Sequence, residues 1–255
     1  MTTAFFGDIA VLTGRSLKHI TRSLDTIITT AIMPIAMMLL FVYVLGGAIQ
    51  TGSSSDSYID YMLPGILLIT IATGISYTSL RLFTDLRSGI FERFQSMPIS
   101  RSASLWAHVL TSLVANVIAL VIVVAVALLM GFRTGASVGA WLAVSGILLL
   151  VTLALTWVAV VAGLAAKTPD GAGAFAYPLI FLPFISSAFV PTDSMPGPVQ
   201  WFAEYQPMTP IVNTLRALFE GTPVAGDIWI ALAWIVGILV AAYIAAMVVY
   251  RRRMG

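Results

Sequence analysis

The chain has 255 residues, of which 59% are hydrophobic and only 9% charged, with a formal net charge of +2. Globular domains carry about 25% charged residues, so this composition belongs to a polytopic membrane protein rather than a soluble domain. The basic residues are scattered at the ends of apolar runs, which offers no surface for nucleic acid, and the lack of cysteine excludes disulfides, zinc thiolates and thiol catalysis.

The first residues lack the apolar core of a signal peptide, so Met1 is expected to begin the mature chain. Residues 5–24 read as an amphipathic helix. Phe5, Ile9, Leu12, Ile20 and Leu24 share one face, flanked by Phe6 and Leu17, and Arg15, Lys18 and Arg22 share the opposite face. With a span directly after it, this is the pattern of a helix lying in the plane of an anionic leaflet.

Six apolar runs follow, at 27–49, 58–82, 104–130, 139–166, 171–188 and 228–250. A span takes about 20 residues, and five runs meet that length. The fifth is short and holds Pro178 and Pro183; a broken helix survives in a bilayer where neighbouring protein satisfies the freed backbone groups. Tyr58, Tyr61, Trp106, Trp141, Trp229 and Tyr250 lie near run ends, as interfacial aromatics do.

Orientation follows from the distribution of positive charge. With the amino terminus in the cytoplasm, Arg15, Lys18, Arg22, Arg81, Arg87, Arg93, Arg101, Lys167 and Arg251, Arg252 and Arg253 are all cytoplasmic. Only Arg133 and Arg216 lie outside, among Asp56, Asp60, Asp193, Glu204, Glu220 and Asp227. Both termini are therefore expected inside, and residues 84–101 form a cytoplasmic loop. In that loop Ile90, Phe91, Phe94 and Met97 fall on one side of a short helix with Glu92 opposite, and Pro98 ends it. The loop reads either as a docking element for a partner or as a short helix lying on the headgroups.

The outer connection, 191–227, is too apolar for a flexible linker. Thr209 is a candidate N-cap with Pro210 at the first helical position. Ile211, Leu215 and Leu218 then share one face, and Gly221 is placed to end the helix. This reads as a hairpin of short helices dipping into the outer leaflet, the alternative being an extended loop on the headgroups. The last run carries Ala233, Gly237, Ala241 and Ala245 at intervals of four, a spacing that lets helix backbones approach closely.

The chemistry-bearing motifs are few. The phosphate-loop pattern ending at Lys167-Thr168 would need glycine at 161 and 166, where the chain has Val161 and Ala166. His108 lies about one turn inside the third run and His19 in the amphipathic helix. Neither has a carboxylate or second histidine at ligand spacing, so both read as headgroup-level residues. Ser76, Ser186 and Ser187 lack the frame of a serine nucleophile. No Asp, Glu, Lys or Arg lies in the middle of any run, whereas ion-coupled carriers keep such residues at depth. Energy for uphill transport would then arrive from outside the chain, which favours docking by the 84–101 loop.

Two stretches carry a resemblance to permeases of the type-2 ABC exporter family, which includes the daunorubicin-resistance and nodulation-factor export permeases. One is Asp85-Leu-Arg-Ser-Gly-Ile-Phe-Glu-Arg-Phe-Gln-Ser-Met-Pro-Ile-Ser-Arg101, similar to the family's charged loop. The other runs from Pro183 through Gly197 and continues as Gln206-Pro-Met-Thr-Pro-Ile-Val-Asn-Thr-Leu-Arg-Ala-Leu-Phe-Glu-Gly221, resembling the outer signature of prolines, an asparagine and an arginine ahead of a glycine. Gln206 departs from the family's usual asparagine.

The resemblance implies an all-α polytopic membrane protein, one transmembrane domain over 1–255. It would have six spans, an interfacial connecting helix (5–24) bearing Arg15, Lys18 and Arg22, and an outer re-entrant hairpin around Pro207, Pro210, Asn213 and Arg216. It also implies a half-transporter of the bacterial inner membrane, pairing with an identical or paralogous permease and docking on a separate ATPase subunit that holds ATP and Mg. Ile90, Phe91, Glu92, Arg93, Phe94 and Met97 would form the coupling helix. Hydrophobic or amphiphilic compounds are the implied cargo; an ion-coupled carrier or an intramembrane enzyme acting on lipids are the alternatives.

Overall fold

A computed structural model of the protein describes residues 24–46, 58–88, 103–224 and 226–254. Arg15, Lys18 and Arg22, like Ile90, Phe91, Glu92, Arg93, Phe94 and Met97, lie outside these residues. The described residues form helices and turns, with no strand among them.

Among the described residues four helices are long and apolar enough to cross a membrane: α2 (Tyr58–Arg87), α3 (Ala103–Leu129), α4 (Val138–Ala165) and α9 (Asp227–Met254). Helix α1 (Leu24–Leu39) contains Pro34 and continues as a π-helical segment, Leu40–Leu45. The fifth run is broken into α5 (Pro169–Ala174), α6 (Ala176–Phe181) and a 3-10 turn, Leu182–Ile185. The breaks follow from sequence: Pro178 and Pro183 cannot donate to the helical ladder, and Thr168 caps α5 by accepting from the Gly171 amide. A short 3-10 turn (Thr192–Ser194) leads to α7 (Gly197–Tyr205) and α8 (Met208–Glu220).

Helix α2 is the hub, packed against α1, α3, α4, α5, α6 and α8. It continues to Arg87, past the end of its apolar run, so the charged stretch that starts at residue 84 begins as helix. The distribution of polarity is inside out. Helix α2 is the least apolar of the four long helices and almost entirely buried, whereas α3 and α9, both more apolar, turn most of their surface outward. Apolar side chains gain nothing by leaving lipid tails, so interior positions go to residues that pack closely or hydrogen-bond across helices. Thr70, Thr73, Thr78 and Ser79 on α2, and Thr152 and Thr156 on α4, are all buried.

Aromatic contacts tie the layers. Trp106 does not lie free at an interface: its ring meets Trp157 edge-on at 5.1 Å, and Trp157 meets Tyr243 at 4.8 Å, joining α3, α4 and α9. Helix α9 contacts its own chain through Ala231, Ile235, Ala242 and Ala246, all buried. The small-residue stripe lies on another side: Ala233, Gly237 and Ala241 are exposed, and Ala245 is half-buried.

Candidate functional site

The hairpin end is built around the α7–α8 corner. Helix α8 starts at Met208 with Pro207 at the N-cap, so Thr209 is not the cap expected from sequence. With Pro207 and Pro210 both in the first turn, where amides have no helical partner, neither proline costs a hydrogen bond. Thr209 instead turns its hydroxyl to the carbonyl of Ala203 at the end of α7. The Ser187 amide donates to the same hydroxyl at 3.4 Å. At the far end Gly221 adopts φ 70°, the left-handed C-cap expected of it. A Cβ there would also lie 2.8 Å from the Gly135 carbonyl, because the loop before α4 closes on this helix through Gly135 N–H to Phe219 O at 3.0 Å and Thr134 Oγ1 to Phe219 O at 2.7 Å.

Arg216 joins three segments. Its Nη2 donates to the Ser187 carbonyl at 2.6 Å and to the Tyr61 carbonyl at 3.1 Å, and Nε reaches the same Tyr61 oxygen at 3.2 Å. Nη1 donates to Asn213 Oδ1 at 3.3 Å, and the guanidinium carbon sits 3.7 Å from the centre of the Tyr61 ring. Burial pushes the guanidinium below its ordinary value, and the neighbouring Tyr61 and Glu220 act against that. Asn213 completes the set: Oδ1 accepts from Ser187 Oγ at 2.6 Å, and Nδ2 donates to Asp227 Oδ2 at 3.1 Å. The start of α2, the 186–190 turn, α8 and the start of α9 are thus clamped through two side chains. The planar fork of arginine suits several acceptors at once, as a lysine does not.

Gln206 clamps the neighbouring turn. Its Nε2 donates to the carbonyls of Ile185 at 2.7 Å and Leu182 at 3.2 Å, the last and first residues of the 3-10 segment.

The other end of α2 differs. There α1, α2 and α3 flank a cleft of about 390 Å³, within the range of small-molecule sites. Its inner part is lined by Thr78, Thr111, Ser112 and Asn116, with Thr30 of α1 alongside. Thr78 Oγ1 donates to Ser112 Oγ at 2.7 Å, and Ser112 Oγ lies 3.4 Å from Thr156 Oγ1 on α4. Asn116 Nδ2 donates to the Ser112 carbonyl at 2.9 Å. Asn116 Oδ1 lies against Gly74 so closely that a Cβ on Gly74 would overlap it. At the mouth stand Arg81, Asp85 and His108.

His108, read from sequence as lacking a carboxylate, has Nε2 3.3 Å from Asp85 Oδ2. The helical continuation of α2 past residue 82 brings Asp85 there. The contact joins the two helices that flank the charged loop. Arg87 Nη2 also donates to the Lys167 carbonyl at 2.8 Å, tying α2 to the α4–α5 connection.

Of the sequence-derived site residues, the structure brings Pro207, Pro210, Asn213 and Arg216 together. It adds Ser187, Tyr61 and Asp227, which sequence reasoning missed as partners. The cleft was missed as well; its signal was Asn116, the one side-chain amide within the six apolar runs. Ser76 and Ser186 are engaged with the carbonyls of Gly173 and Pro183, at 3.3 and 2.6 Å. Among the described residues no cluster of His, Asp or Glu is grouped to hold a metal ion.

Fold and site together define a multi-pass helical membrane protein with its least apolar long helix at the centre, a hydrogen-bonded hairpin at one end and a hydroxyl-lined cleft at the other. The profile of the ABC-2 type transporter family matches residues 8–219, and the chain belongs to that family. It is 29% identical over 234 residues to the daunorubicin resistance ABC transporter permease protein DrrB1 of Streptomyces coeruleorubidus, covering 89% of this chain and 80% of the relative. It is 26% identical over 251 residues to the probable doxorubicin resistance ABC transporter permease protein DrrC of Mycobacterium tuberculosis, in strain CDC 1551 / Oshkosh and in strain ATCC 25618 / H37Rv. That match covers 97% of this chain and 90% of the relative.

Proposed function

We propose that this protein is the permease subunit of an ATP-driven exporter that moves hydrophobic or amphiphilic compounds, drugs of the anthracycline kind among them, out across the bacterial cytoplasmic membrane. The observation that carries the reading is the family match over 8–219, shared with relatives named as drug-resistance permeases. ATP and Mg belong to a separate ATPase chain, since the sequence has no phosphate loop. Helix interiors free of Asp, Glu, Lys and Arg speak against an ion-coupled carrier. The serines considered as nucleophiles are occupied by backbone carbonyls or by Asn213, which speaks against an intramembrane enzyme.

Six crossings are proposed, with α1 as the first and the broken 171–188 segment as the fifth, and with both termini cytoplasmic. The hairpin over 191–227 sits in the outer leaflet; Trp201 and Tyr205, 64% and 66% exposed on α7, suit a headgroup-level belt. Residues 5–24 form the interfacial helix, with Arg15, Lys18 and Arg22 toward the headgroups. Ile90, Phe91, Glu92, Arg93, Phe94 and Met97 dock in the ATPase. A second permease, a copy or a paralogue, packs on the exposed small-residue stripe of α9, where a Cβ added at Gly237 would meet nothing within 4 Å.

The test is transport in inside-out vesicles carrying the permease with its ATPase. ATP should drive daunorubicin accumulation, and the purified permease alone should hydrolyse no ATP. Accumulation driven by a proton gradient without the ATPase would contradict the reading, as would hydrolysis by the isolated chain.

A further inference from the structure

The cleft between α1, α2 and α3 contains polar atoms that the fold itself does not satisfy. Asn116 is 2% exposed and Thr111 is 3% exposed. Both line the cleft, yet Asn116 Oδ1 and Thr111 Oγ1 have no hydrogen-bond partner. A buried polar atom left unpaired bears its desolvation without compensation, so such atoms call for an explanation. Packing defects do not supply one. Asn116 is held in place by Nδ2, which donates to the carbonyl and hydroxyl of Ser112 at 2.9 and 3.3 Å, and Gly74 leaves the room that the amide oxygen occupies.

The geometry gives the chemical class of an occupant. From Asp85 to Gly74 the cleft follows α2 for eleven residues, about 16 Å at 1.5 Å per residue, from the end of the helix to its middle. Among the described residues that line it, the ionic groups are Arg81, Asp85 and His108, toward the mouth. Deeper in, the polar lining is hydroxyl and amide, so the part of a ligand that reaches this depth is neutral. Asn116 Oδ1 accepts only, which requires a donor on the ligand. Thr111 Oγ1 both donates and accepts. A hydroxyl group answers both.

We infer that the α1–α2–α3 cleft binds the neutral, hydroxyl-bearing head of an amphiphile taken up from the Asp85 end, with Asn116 Oδ1 accepting from its hydroxyls and Thr111 Oγ1 exchanging hydrogen bonds with them. This deepens the exporter reading and rests on it for the role of the site as a place where cargo is collected. Buried water is the other chemistry that satisfies such atoms, and the test separates the two.

The chain has no cysteine, so Ala115→Cys, at the wall of the cleft, places a single thiol there. The full permease with its ATPase, in lipid nanodiscs, is treated with N-ethylmaleimide in the presence of decyl β-glucoside or its fully O-methylated analogue, which keeps the sugar ring and alkyl chain but is bulkier and has no donor. The glucoside should slow labelling at least tenfold and the methylated analogue should not. Thr111→Val and Asn116→Leu, made on the Ala115→Cys background, should each raise the half-protecting glucoside concentration about tenfold while leaving the unprotected labelling rate unchanged. Thr111→Val is isosteric and carries the test alone if Asn116→Leu disturbs the helix. Failure of the glucoside to protect would overturn the inference, as would equal protection by both probes or full protection in Thr111→Val; water would then be the partner. ATP-driven export with an unprotected thiol removes the site and leaves the exporter, whereas protection without ATP-driven export does the reverse.

Discussion

The two ends of α2 treat most of their buried polar groups in opposite ways, although Gln206 Oε1 at the hairpin is also left without a hydrogen-bond partner. At the Tyr61 end, Arg216, Asn213, Ser187 and Thr209 pair with one another and with backbone carbonyls until four segments are locked. At the Asp85 end, Thr111 and Asn116 sit in a 390 Å³ cleft with acceptor capacity unspent. The same residue types build a closure in one place and a receptive surface in the other. What separates them is whether a second segment arrives to complete the hydrogen bonds. The lesson is that polarity within a membrane protein is read by its partners rather than by its amount.

Breaking the closed end should have the largest effect. Arg216→Ala removes a charged donor from the Tyr61 and Ser187 carbonyls and should cost about 3 kcal/mol or more, since each hydrogen bond to a charged group is worth about 1.5–3 kcal/mol. Thermal unfolding followed by tryptophan fluorescence checks this, and Arg216→Lys should recover only part of the loss. An effect below about 1 kcal/mol would mean that the clamp is not what holds the hairpin.

Next comes the charged loop beyond the Asp85 end. If the loop docks as proposed, Phe91→Ala with Phe94→Ala should weaken ATPase capture at least tenfold, since burying one large side chain is worth about 1.5–3 kcal/mol, and should leave the thermal stability of the permease alone unchanged. Glu92→Ala should lower export while the complex stays partly assembled. Normal pull-down and normal export would show that the ridge lies on lipid headgroups instead.

Asn213→Leu and Ser187→Ala form a tighter comparison. Each should be destabilising, and the double variant should fall short of their sum by about 1 kcal/mol, because the two side chains share one hydrogen bond within a network. Strict additivity would separate Ser187 from the clamp. The smallest effect belongs to the α4 residue behind the cleft: Thr156→Val removes the contact with Ser112 Oγ and should change stability by only about 0.6 kcal/mol, the usual worth of a side-chain hydrogen bond between membrane helices.

Much of this fold was legible in sequence. Long apolar runs located α2, α3, α4 and α9, because hydropathy over some twenty residues is a direct physical requirement of a span. Pro178 and Pro183 marked the broken segment, and Gly221 marked the end of α8, since each acts through its own backbone. The start of α8 was misplaced at Thr209 because a threonine before a proline suits an N-cap locally, while the corner with α7 gives its hydroxyl to Ala203 instead. The cleft was not legible. Thr78, Ser112 and Thr156 lie far apart in the chain, and nothing in one apolar run announces which face meets another helix. Asp85 and His108 met for a similar reason: the helix outran its apolar stretch, and hydropathy does not register a charged final turn.

The contrast between the ends is tested most directly by single thiols in this cysteine-free chain. Ala115→Cys in the cleft and Val212→Cys, on the fully buried face of α8 in the hairpin, are exposed to a membrane-impermeant maleimide from one side of sealed vesicles at a time. Ala115→Cys should label from the cytoplasmic side at least tenfold faster than from outside, and Val212→Cys should stay unmodified from both. Faster labelling of Ala115→Cys from outside, or ready modification of Val212→Cys, would contradict the account.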